Sequence, residues 1–126
     1  MVVLDTSALL YWTLDPAQLT STARQVIEEA DHLVISSISV WEIGLKVKRG
    51  KLTIPLSITD YVDRLFQLDK LEIRPVGVRT WLANLDLVWE HRDPADRTVV
   101  ATARLLSCPL VASDRRIAEF YEETVW

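Results

Sequence analysis

The sequence predicts an α/β fold in three layers, α/β/α, with a mainly parallel central sheet in a single domain over residues 1–126. Short apolar runs without polar alternation, such as Val2–Leu4 and Leu33–Ile35, are typical of strands buried on both faces, and such strands belong to parallel sheets. Segments with apolar residues at helical spacing separate these runs. Strands that alternate with helices favour right-handed crossovers, so we expect helices on both faces of the sheet.

The composition is that of one ordered globular domain. Hydrophobic residues make up 49% of the 126 residues and charged residues 25%, with only three glycines and five prolines, and a chain of this length has room for one core. The longest apolar runs are far shorter than a membrane span, and the first residues lack the basic start and long apolar centre of a signal peptide. We therefore expect a cytoplasmic protein that does not enter a membrane.

The charge balance is not that of a protein whose whole surface attracts nucleic acid. Fourteen Lys and Arg residues against eighteen Asp and Glu residues give a net charge of −4, so contact with a polyanion would need a local basic patch or a bound metal ion. Cys108 is the only cysteine. This count excludes an intramolecular disulfide and a zinc–cysteine cluster, and the thiol is expected to fill core space.

The first predicted strand is followed by Asp5 at the carboxyl edge of the sheet, which is where open α/β sheets bind ligands. Asp5 or Thr6 could alternatively serve only as the cap of a helix over Ala8–Leu14. That helix should end before Pro16, because the residue before a proline disfavours helical backbone. Apolar residues at helical spacing then predict one amphipathic helix over Pro16–Ala30.

A second strand over His32–Ser36 leads to a helix that runs to Gly50. Ser39 followed three residues later by Glu42 is the pattern of a capping box, which predicts that the helix begins at Ser39. Glu42 would then lie in the first turn, on the same edge of the sheet as Asp5, and capping alone would explain it. The end of this helix carries the densest basic cluster of the chain, which either complements the helix dipole or contacts an RNA backbone: Lys46, Lys48, Arg49 and Lys51.

The remaining elements follow from apolar periodicity and turn residues. They are a helix over Ser57–Leu68, an edge strand over Leu71–Val76, a helix over Thr80–Leu87, a helix that begins after Asp93, a strand over Pro109–Asp114, a short helix over Arg115–Tyr121, and a final strand or docking tail at Val125–Trp126. Asp93 followed by Pro94 is a typical helix start. The side chain of Asp96 is short for the second bond of a capping box, in which it would reach back to the Asp93 amide. His32 is expected to be a solvated loop residue. His91 could lie near the site, although a lone histidine in a loop is usually solvated.

Four acids lie at the predicted carboxyl edge of the sheet, either directly after a strand or at the start of a helix: Asp5, Glu42, Asp96 and Asp114. Four carboxylates without a counter-charge would repel one another. A hard divalent cation removes this conflict, and Mg²⁺ prefers oxygen ligands while keeping several of its waters. The sequence therefore predicts a site for one or two such ions, and the lack of a cysteine–histidine cluster disfavours zinc.

Four motifs in this order resemble the PIN domain, specifically the VapC-type toxins of bacterial toxin–antitoxin modules. The resemblance spans essentially the whole chain. Its motifs are Val3–Leu10, Ile38–Ile43, His91–Arg97 with Ala101–Ala103, and Leu110–Asp114. Ala95 stands where many relatives have Phe, a difference that touches packing at the start of a helix and removes no acid.

The resemblance implies a PIN-like fold and an endoribonuclease that depends on Mg²⁺ or Mn²⁺ and leaves a 5′-phosphate on its RNA product. It also implies a homodimer, held inactive by a cognate antitoxin whose tail enters or covers the acidic site. The acids that match the catalytic and metal-binding positions are Asp5, Glu42, Asp96 and Asp114. The supporting hydroxyls would come from Thr6 or Ser7 and from Ser113.

Two other classes of protein stay open on the residues alone. One is another acidic-pocket phosphotransfer domain, although a phosphatase of that kind has a second Asp where this chain has Ser7, and a receiver domain has a late Lys, whereas the last one here is Lys70. The other is a non-catalytic binding module in which the acids are only helix caps. Capping is not expected to account for Asp5, Asp96 and Asp114 together.

Overall fold

The computed structural model describes all residues, 1–126, and its strands form a single sheet. The strands are β1 (Val2–Leu4), β2 (Leu33–Ser36), β3 (Leu71–Arg74), β4 (Leu110–Val111) and β5 (Thr124–Val125). Their order across the sheet is β3-β2-β1-β4-β5, and every neighbouring pair is parallel. The parallel sheet predicted from the buried apolar runs is confirmed, as is the edge position of β3, and β1 lies at the centre.

Seven α-helices and one 3₁₀ turn connect the strands. The helices are α1 (Thr6–Leu14), α2 (Ser21–Glu29), α3 (Ser37–Lys48), α4 (Ile58–Phe66), α5 (Val78–Asp86), α6 (Pro94–Leu106) and α7 (Arg115–Phe120), and the turn is Pro16–Gln18. None of these helices is both long and apolar enough to cross a membrane.

Successive strand residues point to opposite faces of the sheet and so contribute to two cores. On one face Leu4 belongs to the same core as Ile27 of α2 and Ile43 of α3. On the other face Val3 shares a core with Val99 of α6. All five side chains are essentially inaccessible to solvent, and the three-layer α/β/α arrangement is confirmed.

The single helix predicted over Pro16–Ala30 is wrong. Pro16–Gln18 forms the 3₁₀ turn, and α2 begins only at Ser21. The Thr20 hydroxyl accepts a hydrogen bond from the Ala23 amide at 3.0 Å. This bond satisfies an amide in the first turn of α2 and so favours a new helix start at this point. The 3₁₀ turn and α2 are therefore separate elements, although their apolar residues share one periodicity.

The capping box predicted for Ser39 and Glu42 is also wrong. α3 begins at Ser37, and Ser36 at the end of β2 is the N-cap, its hydroxyl accepting from the Ile38 amide at 3.2 Å. Ser39 is fully buried inside the first turn. Glu42 therefore lies in the second turn of α3, since the strand passes into the helix without a loop.

The C-terminal segment is tied to the sheet on one side and to α1 on the other. β4 pairs over Leu110–Val111 only, shorter than predicted, because its outer partner β5 has two residues and Asp114 already caps α7. The Trp126 ring lies 6.0 Å from that of Tyr11, centroid to centroid. Val125–Trp126 is thus both the end of a strand and a docking contact. Cys108 is buried in the core as expected.

Candidate active site

The carboxyl edge of the sheet gathers the junctions from which the predicted acids extend. Asp5 joins β1 to α1, Asp114 joins β4 to α7, and Glu42 lies on α3 directly after β2. Asp96 lies in the first turn of α6. Because β2, β1 and β4 are parallel neighbours, their carboxyl ends meet at one edge, which is the arrangement that the sequence predicted.

Asp5 is the most buried acid of the site, with 6% of its surface exposed. Its Oδ1 accepts a hydrogen bond from the Ala8 amide at 2.7 Å, while Oδ2 accepts none. Since no fully buried side-chain oxygen or nitrogen lacks a partner, Oδ2 keeps contact with solvent. No Lys, Arg or His forms a salt bridge with Asp5.

The electrostatics link Asp5 to the other three acids. Burial raises the pKa of Asp5 to about 7; the Ala8 hydrogen bond opposes this rise, and the negative charges of Asp96, Glu42 and Asp114 add to it. A carboxylate feels such charges only over short distances. The negative charges of the other three acids thus reach Asp5, which has no counter-charge of its own.

Asp96 is half-buried and bound by a histidine. His91 Nε2 lies 2.7 Å from Asp96 Oδ2, and Oδ1 accepts no hydrogen bond from the protein. Burial raises the pKa of Asp96, and the His91 hydrogen bond only partly offsets this. Asp93, the N-cap of α6, accepts from the amides of Ala95 and Asp96 at 2.9 and 3.2 Å, as predicted for this helix start.

Asp114 and Glu42 complete the group. Asp114 Oδ1 accepts from the Arg116 amide at 2.7 Å. Partial burial acts to raise the pKa of Asp114, but the hydrogen bonds from Arg116 outweigh it and hold the pKa below its ordinary value. The Glu42 side chain is 15% exposed, and Lys46 Nζ on the next turn of α3 lies 3.9 Å from its Oε2.

Two of the four acids are also helix caps, whereas Asp96 is not, so capping accounts for Asp5 and Asp114 but not for Asp5, Asp96 and Asp114 together. Asp5 is the N-cap of α1 and Asp114 is the N-cap of α7. Because Asp5 caps it, α1 begins at Thr6, two residues before the predicted start. Each cap bond from an amide uses one carboxylate oxygen. The second oxygen of Asp5 accepts no hydrogen bond from the protein, whereas that of Asp114 lies 3.5 Å from the Arg116 guanidinium.

The donor chemistry of this group suits a hard divalent cation, since all four side chains offer carboxylate oxygens and Asp5 is buried without a positive partner. In the orientations that the side chains adopt, no group of three or more is positioned to hold a metal ion. Binding would therefore need rotation of side chains or bridging waters, and Mg²⁺ commonly retains such waters.

The hydroxyls predicted to support the site take different places. The Thr6 hydroxyl donates to the Ser39 hydroxyl at 2.9 Å inside the protein and so ties α1 to α3. Ser7 is half-buried and Ser113 is exposed, and neither side chain forms a hydrogen bond within the protein. The basic residues at the end of α3 are exposed and follow Glu42 along the helix: Lys46, Lys48, Arg49 and Lys51.

Two residues beside Asp96 were not assigned to the site from the sequence. His91 was expected to be solvated, with a place near the site as the alternative, and its side chain is only 8% exposed. Arg97 donates through its guanidinium to five oxygens in the segment before α6: the side-chain and backbone oxygens of Asn84 and the backbone oxygens of Leu87, Trp89 and His91. The available signal was the density of polar and aromatic residues around Asp96. The other histidine, His32, is 40% exposed and bonds Glu72 at 2.8 Å.

An open groove of about 870 Å³ lies beside the acids. Trp89, His91 and Phe120 line it together with Arg92 and Arg116. His91 contacts Asp96, and a second lining residue, Arg116, contacts Asp114. The groove is therefore lined by residues that contact two of the four acids, although none of the four lines it.

Comparisons with known proteins agree with this fold. The PIN domain family matches residues 2–123. Ribonuclease VapC22 of Mycobacterium tuberculosis is 28% identical over 131 residues, which cover 99% of this chain and 98% of the relative. A toxin–antitoxin complex from Klebsiella pneumoniae has the same fold, with a TM-score of 0.69, 18% identity, and coverage of 100% of this chain and 97% of the other. Mycobacterium tuberculosis VapC20, described as a sarcin–ricin loop cleaving toxin, aligns with a TM-score of 0.66, 13% identity and 94% coverage of both chains.

Proposed function

The chain belongs to the PIN domain family, and we propose that it is a Mg²⁺- or Mn²⁺-dependent endoribonuclease of the VapC type, the toxin of a toxin–antitoxin pair that acts in the cytoplasm. The observation that carries the proposal is the buried Asp5 carboxylate, which has no cationic partner and feels the charges of three further acids. A relative of nearly the same length is named a ribonuclease, which supports RNA as the substrate.

The ion would be held by carboxylates at the sheet edge: Asp5, Glu42, Asp96 and Asp114. One or two divalent cations would offset the negative charge that burial disfavours at Asp5. When bound, such an ion polarises water and the scissile phosphate and so supports hydrolysis of the phosphodiester. The expected product carries a 5′-phosphate.

The protein's own groups hold two of the four acids, Asp5 and Asp96, in place before a substrate binds. The Ala8 amide fixes Oδ1 of Asp5 at the start of α1, and the His91 ring fixes Oδ2 of Asp96. In each case the other oxygen accepts no hydrogen bond from the protein. Donors that are already oriented lose less freedom when the site assembles around a phosphate.

The RNA backbone would need local positive charge, because the whole chain is acidic. The exposed residues that continue α3 beyond Glu42 are the proposed contacts: Lys46, Lys48, Arg49 and Lys51. Such contacts neutralise phosphates regardless of sequence. They would hold the strand while the acids act on one phosphodiester.

A cognate antitoxin and a second copy of the chain are the proposed protein partners. The solved relative from Klebsiella pneumoniae is itself a toxin–antitoxin complex, and an acidic site would accept a basic antitoxin tail. Apolar side chains on and after α5 are exposed by 44 to 94%: Trp81, Leu82, Leu85 and Val88. Exposed apolar surface of this extent is typical of protein interfaces.

The test is cleavage of tRNA and rRNA by the purified protein during titration with Mg²⁺ or Mn²⁺. We expect activity that EDTA abolishes, and a 5′-phosphate at the new end. Asp96→Asn should abolish cleavage while the fold survives or gains stability. Asp63→Asn is the matched control, since Asp63 is an exposed residue of α4, and it should cleave as the wild type does. A 2′,3′-cyclic phosphate product would contradict the mechanism.

The capping roles of Asp5 and Asp114 favour one alternative, a non-catalytic binding module. Such a module would show no metal-dependent cleavage of any RNA, and Asp96→Asn would leave its behaviour unchanged. Another acidic-pocket phosphotransfer domain would instead take up phosphate from a small phosphodonor. Incubation with acetyl phosphate, followed by mass measurement, separates that class from a nuclease.

A further inference from the structure

His91 is placed where it can control the orientation of Asp96. Its Nε2 lies 2.7 Å from Asp96 Oδ2, and its side chain is 8% exposed. With Asp96 ionised, the Nε2–H donates and the carboxylate accepts. This bond occupies one oxygen of Asp96, while Oδ1 has no partner in the protein.

Aromatic packing fixes the His91 ring. The ring lies 4.8 Å from that of Trp89, and Trp89 stacks on Phe120 of α7 with centroids 4.7 Å apart and planes 12° apart. The His91 imidazole is therefore held between Asp96 on one side and the Trp89–Phe120 pair on the other. Phe120 belongs to α7, the helix that begins at Asp114.

The backbone of this segment is fixed by Arg97, the residue that follows Asp96. Its Nη1 donates to the carbonyl oxygens of Trp89 at 2.6 Å and His91 at 3.1 Å, and its Nη2 donates to those of Asn84 and Leu87 at 2.6 and 3.1 Å. A planar guanidinium that satisfies several carbonyls at once leaves the segment little freedom. The donor of His91 is thus presented to Asp96 from a rigid support.

We propose that His91 is a positioning residue that holds Asp96 through Oδ2, so that Oδ1 is presented to the divalent cation of the site. The inference rests on the proposed function, because it assigns a role within the same metal site. Groups that orient a metal-ligating carboxylate by a hydrogen bond change metal affinity or activity by about 10- to 100-fold when they are removed.

Two substitutions separate the hydrogen bond from the packing. His91→Phe keeps an aromatic ring beside Trp89 but removes the donor, whereas His91→Gln offers an amide donor near the position of Nε2. Circular dichroism confirms that each variant is folded. Mn²⁺ binding is then measured by calorimetry, and RNA cleavage is resolved into kcat and KM.

We expect His91→Phe to bind Mn²⁺ about 10- to 100-fold more weakly than the wild type, with a lower kcat and a smaller change in KM for RNA, because the proposed phosphate contacts are the basic residues at the end of α3. His91→Gln should recover most of the affinity. The control is His32→Phe, which removes a similar histidine–carboxylate bond, to Glu72 of the edge strand β3 at 2.8 Å; His32 directly precedes β2, at the end of that strand opposite to the acids. It should bind Mn²⁺ and cleave RNA as the wild type does.

Asp96→Asn distinguishes failure of this inference from failure of the proposed function. If Asp96→Asn loses Mn²⁺ affinity and His91→Phe does not, the positioning role is wrong and the site assignment stands. If the wild type binds no Mn²⁺, or Asp96→Asn binds it normally, the metal site itself is wrong and the role of His91 falls with it. Equal losses in His91→Phe and His91→Gln would also overturn the hydrogen-bond argument.

Discussion

Replacing Asp5 with asparagine should stabilise the metal-free protein at pH 8. Burial raises the pKa of Asp5 from 3.8 to about 7, and a tenfold change in an ionisation equilibrium corresponds to about 1.4 kcal/mol. Ionising Asp5 in the folded protein therefore costs about 4 kcal/mol at pH 8. Asparagine keeps an oxygen for the Ala8 amide but loses the attraction of a negative charge to the start of α1, about 0.3 to 1 kcal/mol. We expect a net gain of about 3 kcal/mol.

The gain should depend on pH in a defined direction. Below about pH 4, Asp5 is protonated in the folded and the unfolded chain, so the variant and the wild type should differ little. Between about pH 4 and pH 7, the unfolded chain releases the proton of Asp5 while the folded chain keeps it. The wild type therefore loses stability relative to Asp5→Asn as the pH rises through this window, and the difference is constant above it.

Urea unfolding in EDTA at pH 4, 6 and 8 measures this difference directly. The matched control is Asp63→Asn, because Asp63 is an exposed acid on α4, and its effect should be small at every pH. Addition of Mn²⁺ at pH 8 should stabilise the wild type more than Asp5→Asn, since a ligand stabilises the state that binds it. A variant that is less stable than the wild type at pH 8, or a difference independent of pH, would refute the reasoning.

Three other substitutions test separate parts of the structure. Arg97→Ala should lower the free energy of unfolding by about 3 kcal/mol, because it leaves several carbonyls of the segment before α6 without donors. Urea unfolding measures this loss. Full stability in Arg97→Lys would argue against the need for a planar guanidinium at this position. Thr6→Val should cost about 1 kcal/mol by the same assay, since Ser39 loses its buried partner, whereas Thr6→Ser should restore it. Charge reversal at Lys48 and Arg49 should raise KM for RNA and reduce its salt dependence with kcat unchanged; an unaltered KM would exclude this end of α3 as an RNA contact.

The sheet and the positions of the acids could be predicted because both follow from local signals. A strand buried on two faces needs a run of apolar residues, and a helix that starts directly after it favours a residue such as Asp5 that can cap it. The start of α3 was misjudged because Ser36, Ser37 and Ser39 all offer hydroxyls, and the sequence does not say at which of them strand pairing stops.

The burial of His91 against Asp96 could not be predicted, because it depends on contacts that no short window contains. A histidine in a loop is ordinarily solvated. Here Arg97 binds the backbone on both sides of Glu90, and Phe120, far along the chain, supports the Trp89 ring beside the imidazole. Burial of His91 is therefore a consequence of tertiary packing, and only the folded chain shows which oxygen of Asp96 it binds.

Capping and metal binding are compatible roles for one carboxylate, and Asp5 allows them to be measured separately. Asp5→Asn removes the charge and keeps the cap, whereas Asp5→Ala removes both. At pH 8 the alanine variant should be less stable than the asparagine variant by about 1 kcal/mol, the usual contribution of an N-cap, although both lack metal-dependent cleavage. If the two variants are equally stable, the Ala8 hydrogen bond contributes nothing to α1, and Asp5 is kept at the end of β1 for its charge alone.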